Sequence, residues 1–216
     1  MNKIIISIDG PAGSGKDRIA RYVSKKWSFK HLDSGILYRR IANLIYKKKL
    51  DPFDKKNIIK LINNIKELSY RKHKNLRLEK ISRIASIIAE FKYLRDFVNK
   101  QQKKIVKRIN KKNGFVIDGR DIGSVVFKNA NVKLYIDVDI HIRAKRRHKQ
   151  LIDMGEKSIY RKILKDIKLR DKKDKTRINS PLVIPKGAFI IDNSSTFHST
   201  QNQIIKIIGK KINVKY

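Results

Sequence analysis

Lys3-Ile4-Ile5-Ile6-Ser7-Ile8 runs through Asp9 straight into Gly10-Pro11-Ala12-Gly13-Ser14-Gly15-Lys16, and this junction restricts the fold more than any other stretch of the chain. The apolar run lacks the alternation of a half-exposed strand, so it is expected to be buried on both faces, as in a parallel sheet covered by helices. The turn fits G-x-x-x-x-G-K, and a helix is expected from about Lys16 to Lys26. Glycines let successive backbone N–H groups turn inward around an anion, and the helix N-terminus adds partial positive charge. Lys16 supplies a mobile cation that reaches β and γ phosphates. Gly10, Pro11, Ala12, Gly13, Ser14, Gly15, Lys16, Asp17 and Arg18 are therefore the candidates for holding a nucleotide's phosphates. The motif usually ends in Ser or Thr, whose hydroxyl helps hold Mg2+, whereas here Asp17 follows Lys16. Three readings of Asp17 are open: it faces a metal ion, it pairs with Arg18, or it points away.

The remaining chain alternates strand and helix patterns. Strands are expected at 30–33, 114–117, 132–137 and 188–191. Helices are expected from Ser34 to about Lys48 and over 54–68. Residues 79–110 read as largely helical, with Ile84, Ile88, Phe91, Leu94, Val98 and Ile105 at helical spacing. Further helices are expected over 139–154, 158–175 and 199–210. Five strands with crossover helices predict an α/β fold: a P-loop, doubly wound, five-stranded parallel sheet with flanking helices. The length of 216 residues suits one domain with a sizeable core.

Charge is the loudest compositional feature, with 54 Lys and Arg against 19 Asp and Glu for a formal +35. A nucleic-acid module gathers its cations on one face; here they spread over nearly every segment. Lys, Ile and Asn share AT-rich codons, so compositional drift gives this profile without function, and loose polyanion binding is the other reading. No specific nucleic-acid partner is expected. Cysteine is absent, which excludes disulfides and thiolate metal sites, and the five histidines show no ligand spacing. No protein metal-ligand set is assigned. Without a membrane-length apolar stretch or a signal segment, the plain expectation is a cytoplasmic protein with no membrane partner.

Other segments point to a second anion site. Leu32-Asp33-Ser34-Gly35-Ile36-Leu37-Tyr38-Arg39 and Asp118-Gly119-Arg120-Asp121-Ile122-Gly123 sit at expected strand ends, which border the ligand crevice of an open parallel sheet. Arg143, Arg146 and Arg147 share one helical face, as do Arg170, Asp174 and Arg177. Arginines near a phosphate loop suit a phosphoryl group in flight, whose charge lies on its equatorial oxygens.

In this order IDGPAGSGK, LDSGILYR, DGRDIGSVVF, RAKRRHKQL and LRDKKDKTR resemble the bacterial cytidylate kinases, from about Ile4 to Ser195. The resemblance implies transfer of the γ-phosphoryl of ATP to CMP or dCMP, with Mg2+ required, by a protein expected to be a monomer. It implies a core at about 1–50, 112–140 and 180–216. A helical acceptor-binding region would fill about 51–111, and an arginine-bearing lid about 141–175. Lys16, Arg120, Arg170 and Arg177 take the catalytic roles. Ser34, Arg39, Ser86, Arg95, Arg120, Asp121, Arg170, Asp174 and Arg177 stand where the family contacts CMP. Cytosine's exocyclic amine suits an acceptor such as Asp121, while its N3 and O2 suit Ser86 and Arg95. Asp174 resembles a sugar-hydroxyl ligand. Arg143, Arg146 and Arg147 belong to the lid over ATP, and Asp192-Asn193-Ser194-Ser195 resembles the loop beside adenine.

Plainer readings stand beside these. Ser34 also reads as a helix cap, Ser86 and Arg95 as ordinary helix residues, and the 143–147 arginines as a solvated face. Asp118 either orients Arg120 or helps hold Mg2+ through water. The family's β-rich insertion looks largely lost, because only Ser69 to Asn75 bridges Leu68 to Leu76. Lys173 stands where the family often has arginine and keeps the charge without the bidentate fork. The lost insertion implies weaker acceptor binding, a relaxed choice of pyrimidine and a raised acceptor KM, and together with Asp17-Arg18 and Lys173 it implies a reduced, less efficient enzyme. The alternatives are a kinase for another nucleoside monophosphate such as UMP, and a basic nucleic-acid-binding protein on a degenerate P-loop scaffold.

Overall fold

The computed structural model describes residues 3–71, 73–109, 114–153 and 155–212. They form two compact units, one of residues 3–31 with 114–153 and 155–212, and one of residues 32–71 with 73–109. Five strands, β1 (Ile5–Asp9), β2 (Lys30–Asp33), β3 (Phe115–Asp118), β4 (Val132–Asp137) and β5 (Phe189–Asp192), line up in the order β2-β3-β1-β4-β5. β1 pairs in parallel with both β3 and β4, and β4 with β5. The expected sheet is therefore present. Chain order reverses around β1, which places its carboxyl end at a topological switch point.

The apolar run of β1 is buried because both its faces are covered. Ile6 and Ile8 join Val116, Val132, Leu134, Ile136 and Ile191 in a core closed by Ile19, Ala20 and Val23 of α1 (Lys16–Lys26). Ile204 and Ile208 of α8 (Phe197–Ile212) complete it. In the same unit α6 (Ile140–Asp153) packs on α7 (Tyr160–Thr176) through Ala144, Ile163 and Ile167.

The second unit is helical: α2 (Ser34–Lys47), α3 (Lys55–Asn63), α4 (Glu79–Ile88) and α5 (Lys92–Arg108). Ile36, Leu37, Ile41, Ile45, Ile81, Ile88, Leu94 and Val98 are buried, the helical spacing of each stripe defining its inward face. Two expectations change here. The 54–68 helix ends at Asn63, and the 79–110 stretch is two helices. The break falls at Phe91, whose backbone is extended and whose ring packs edge-on against Phe53 and stacks on Tyr93. Among the described residues between α3 and α4 there is only a short 3-10 turn, Lys74–Arg77, and no strand. No helix among the described residues is long and apolar enough to cross a membrane.

Candidate active site

The loop after β1 is built around its glycines. Gly10 has φ +149, and a Cβ there would lie 2.5 Å from Ile136 O; Gly15 has φ +84, and its Cβ would lie 2.6 Å from Asn193 Nδ2. Neither position accommodates a larger residue in this backbone. Lys16 opens α1, is buried, and donates to Pro11 O at 2.6 Å and Ser14 Oγ at 3.2 Å. Burial first, and the nearby Arg120 guanidinium second, push its ammonium well below the usual lysine pKa; Asp118, Asp174 and Asp9 pull the other way. Crowded, desolvated cations of this kind are relieved when a polyphosphate enters.

Asn193 braces this loop from the end of β5. Its Nδ2 donates to Ser14 O at 2.8 Å while its Oδ1 accepts from Thr200 Oγ1 at 2.8 Å. Arg146 of α6 donates to the carbonyls of Asn193, Ser194 and Ser195, which fixes the loop expected beside adenine. Arg143, one turn earlier, is buried and donates to Ala12 O and Val138 O; Arg147 donates to Gln150 Oε1. Asp17 lies 2.9 Å from Arg21, one turn along α1, and the Arg18 guanidinium lies 3.8 Å over the Phe197 ring.

Asp9, which sequence reasoning used only as the end of a strand, organises the next motif. Its Oδ1 and Oδ2 accept from the N–H groups of Ile122 and Gly123 at 2.8 and 2.7 Å. These N–H groups open a π-helical turn, Ile122–Val126, that the sequence did not suggest. Burial pushes the Asp9 carboxyl up to about 6, against the two N–H donors that favour its charge. The only sequence signal was a charged residue closing an otherwise apolar strand. Asp118, at the end of β3, places its Oδ1 2.6 Å from His31 Nε2, a contact that no spacing rule would find.

Arg120 follows β3, and its Nε lies 2.9 Å from Asp174 Oδ2, while Arg177 Nη1 lies 3.1 Å from Asp174 Oδ1. Burial pushes the Asp174 carboxyl up, but Arg120, Arg177 and Arg170 outweigh it and hold it below the usual carboxylate range. The structure thus brings Arg120, Asp174 and Arg177 into one cluster, with Arg120 and Asp174 both within electrostatic reach of Lys16. Arg170 lies on α7, one turn before Asp174, and Asp121 is buried beside Arg120.

In the helical unit, Ser34 is the first residue of α2 and buried; Asp33, not Ser34, holds the capping position. Arg39 Nη1 and Asp33 Oδ1 both approach Gly35, where a Cβ would meet them at 3.5 and 3.1 Å. Ser86 is half-buried on α4. Arg95 is buried on α5, donates to Ala89 O at 2.9 Å and lies 5.7 Å from the Tyr38 ring. It thereby satisfies a carbonyl freed where α4 stops.

The family model for cytidylate kinase matches residues 6–214. A cytidylate kinase of Rickettsia bellii is 39% identical over 208 residues, covering 96% of this chain and 93% of its own. A cytidylate kinase of Fusobacterium nucleatum is 36% identical over 222 positions and covers 98% of each chain. Among solved structures, TT1252 from Thermus thermophilus covers 97% of this chain and 98% of its own at a TM-score of 0.52 and 13% identity, a likeness of fold.

Proposed function

The chain belongs to the cytidylate kinase family, and from that premise we propose that it transfers the γ-phosphoryl group of ATP to CMP or dCMP, giving ADP with CDP or dCDP. The observation that carries this reading is the Arg120–Asp174–Arg177 cluster set within electrostatic reach of Lys16. An oxygen of the acceptor phosphate attacks the γ-phosphorus as the bond to the leaving ADP oxygen breaks. The protein's part is positioning and charge. Lys16 and the loop N–H groups would take the β and γ phosphates. Arg120, Arg170 and Arg177 would meet the acceptor phosphate and the group in flight. Ser34, Arg39, Ser86, Arg95 and Asp121 would hold the rest of CMP, with Asp174 on its sugar. No nucleophile-and-base pair is needed, because the substrate itself supplies the attacking oxygen.

A divalent cation would arrive with ATP, ligated chiefly by phosphate oxygens and water. The side chains suit such a sparse role. No group of three or more His, Cys, Asp or Glu among the described residues could hold a metal ion. Asp17 stands where a hydroxyl is usual and is turned to Arg21. Asp118, held by His31 and close enough to Lys16 to act on its charge, is the carboxylate we assign to the cation's water shell.

The test is ADP formation by the purified protein with Mg-ATP and CMP, dCMP, UMP, AMP or GMP in turn, run beside Arg120→Ala. Activity confined to CMP and dCMP and lost in the variant supports the reading. Activity spread over UMP or AMP would keep phosphoryl transfer and remove the cytosine-specific roles of Ser86, Arg95 and Asp121.

A further inference from the structure

Arg143 stands on the helix expected to close over ATP, yet its side chain is spent inward. Nε donates to Val138 O at 3.0 Å, and Nη1 donates to Ala12 O at 3.0 Å while lying 2.6 Å from Asp171 Oδ2. Both charged partners are interior, Arg143 at 5% and Asp171 at 8% exposure. Asp171 Oδ1 is buried with no hydrogen-bond partner, so Arg143 is what compensates this carboxylate. Ala12 lies inside the phosphate loop. Asp171 lies on α7 between Arg170 and Asp174, and Asp174 in turn meets Arg120 and Arg177. A continuous line of polar contacts therefore runs from a loop carbonyl, through Arg143 and Asp171, to α7, which carries Arg170 and Asp174 and ends at Arg177.

Resting on the kinase reading above, we infer that Arg143 and Asp171 are a positioning couple. They fix α7, and with it Arg170, Asp174 and Arg177, against the phosphate loop, and neither touches substrate. A guanidinium suits this role because its rigid fork serves several acceptors in one plane; an ammonium at the same place reaches fewer of them. ATP binding itself is buffered against loss of the couple, since Asn193 still braces Ser14 and Lys16 is still at the head of α1. What depends on the couple is the alignment of Arg170 on α7 and Arg177 at its end on the phosphoryl group in flight, so its loss falls on kcat.

The test uses the full chain with Asp171→Asn, Arg143→Lys and the double variant. Three readouts are taken: steady-state kinetics with Mg-ATP and CMP, the Kd of a fluorescent ATP analogue, and amide hydrogen exchange over α7. Each single variant is expected to lower kcat about 10- to 100-fold while the analogue's Kd moves less than about threefold. Exchange over α7 should quicken, and the double variant should be no worse than the poorer single one, the signature of one shared interaction. Arg143→Lys that weakens the analogue about tenfold beside an unaffected Asp171→Asn would overturn the inference and make Arg143 a nucleotide contact; additive losses would overturn it too. If Arg143→Lys does not fold, near-isosteric Asp171→Asn decides the matter: unchanged kcat and unchanged exchange overturn the couple. If the wild-type protein does not phosphorylate CMP, the kinase reading fails, and the exchange comparison still decides whether the couple fixes α7.

Discussion

The Arg120 guanidinium and the Asp174 carboxylate meet at 2.9 Å although they stand on different motifs of the chain. The same carboxylate takes Arg177 on its other oxygen at 3.1 Å. One anion thus holds two guanidiniums in a fixed spread, and the cations in turn hold Asp174 ionised despite its burial. A cluster with more positive than negative charge in a poorly solvated place is built to accept another anion.

Removing either side of the pair should therefore affect catalysis differently. Arg120→Ala removes the donor we propose for the transferring group and is expected to lower kcat about 100- to 1,000-fold. Asp174→Asn keeps the shape but leaves Arg120 and Arg177 without their counter-charge, and a fall of about 10- to 100-fold in kcat/KM for CMP is expected. Steady-state kinetics with CMP varied at saturating Mg-ATP checks both. An Asp174→Asn protein with wild-type kinetics would show that the carboxylate does not hold the arginines in their working positions.

At position 17 the usual hydroxyl can be restored. The Asp17–Arg21 pair is exposed, with side chains 27% and 60% accessible, so breaking it costs roughly 0–1 kcal/mol. Asp17→Ser is expected to leave Tm within about 3 °C. It should also lower the Mg2+ concentration that gives half-maximal activity, because a serine hydroxyl there can join the cation's shell. A magnesium titration at fixed ATP measures this. An unchanged midpoint would mean that Asp17 already supports the cation through water.

The fold was legible because its signals are local. An apolar run, a glycine turn and a lysine place β1 and α1, and the later strands follow from apolar runs between helical stripes. The clustering of Arg120, Asp174 and Arg177 was legible too, since they belong to dense polar motifs. What the sequence hid depends on contacts distant in the chain. Asp9 becomes a cap only because Ile122 and Gly123 return to it across 113 and 114 residues. Asn193 becomes a loop brace only when β5 is laid beside β4. Arg143 looked like one of three equal arginines on a helix, and only its burial against Ala12 and Asp171 separates it from Arg147. Phe91 sits on the helical stripe, yet its backbone is extended where α5 begins and its ring packs against Phe53 and Tyr93, which spacing does not report.

Asn193→Ala tests the brace. It removes the hydrogen bond to Ser14 O and leaves the buried Thr200 hydroxyl without its acceptor on Asn193. A loss of about 1–3 kcal/mol in unfolding free energy is expected from these buried polar groups. The loosened loop should also raise the KM for ATP more than that for CMP. Denaturant unfolding and paired substrate titrations report the two effects separately, and a stability loss with an unmoved ATP KM would restrict Asn193 to a structural role.

Asp9 sets the last expectation, a dependence of stability on pH. Its folded pKa is raised from 3.8 to about 6, chiefly by burial. A group raised in this way binds its proton more tightly when folded, so its favourable contribution is complete below pH 3.8 and disappears as pH rises through about 6. At 1.36 kcal/mol per pH unit, the contribution lost across that window is about 3 kcal/mol. Asp9→Asn does not titrate there, and its amide offers one acceptor where the carboxylate offers two. The unfolding free energy of the wild type minus that of Asp9→Asn should therefore shrink by about 2 kcal/mol from pH 4 to pH 7, since pH 4 already lies above the unfolded pKa. Parallel urea unfolding at several pH values measures the difference directly. A gap that stays flat or widens with pH would place the folded pKa at or below 3.8 and show that the N–H groups of Ile122 and Gly123, rather than burial, control the carboxylate.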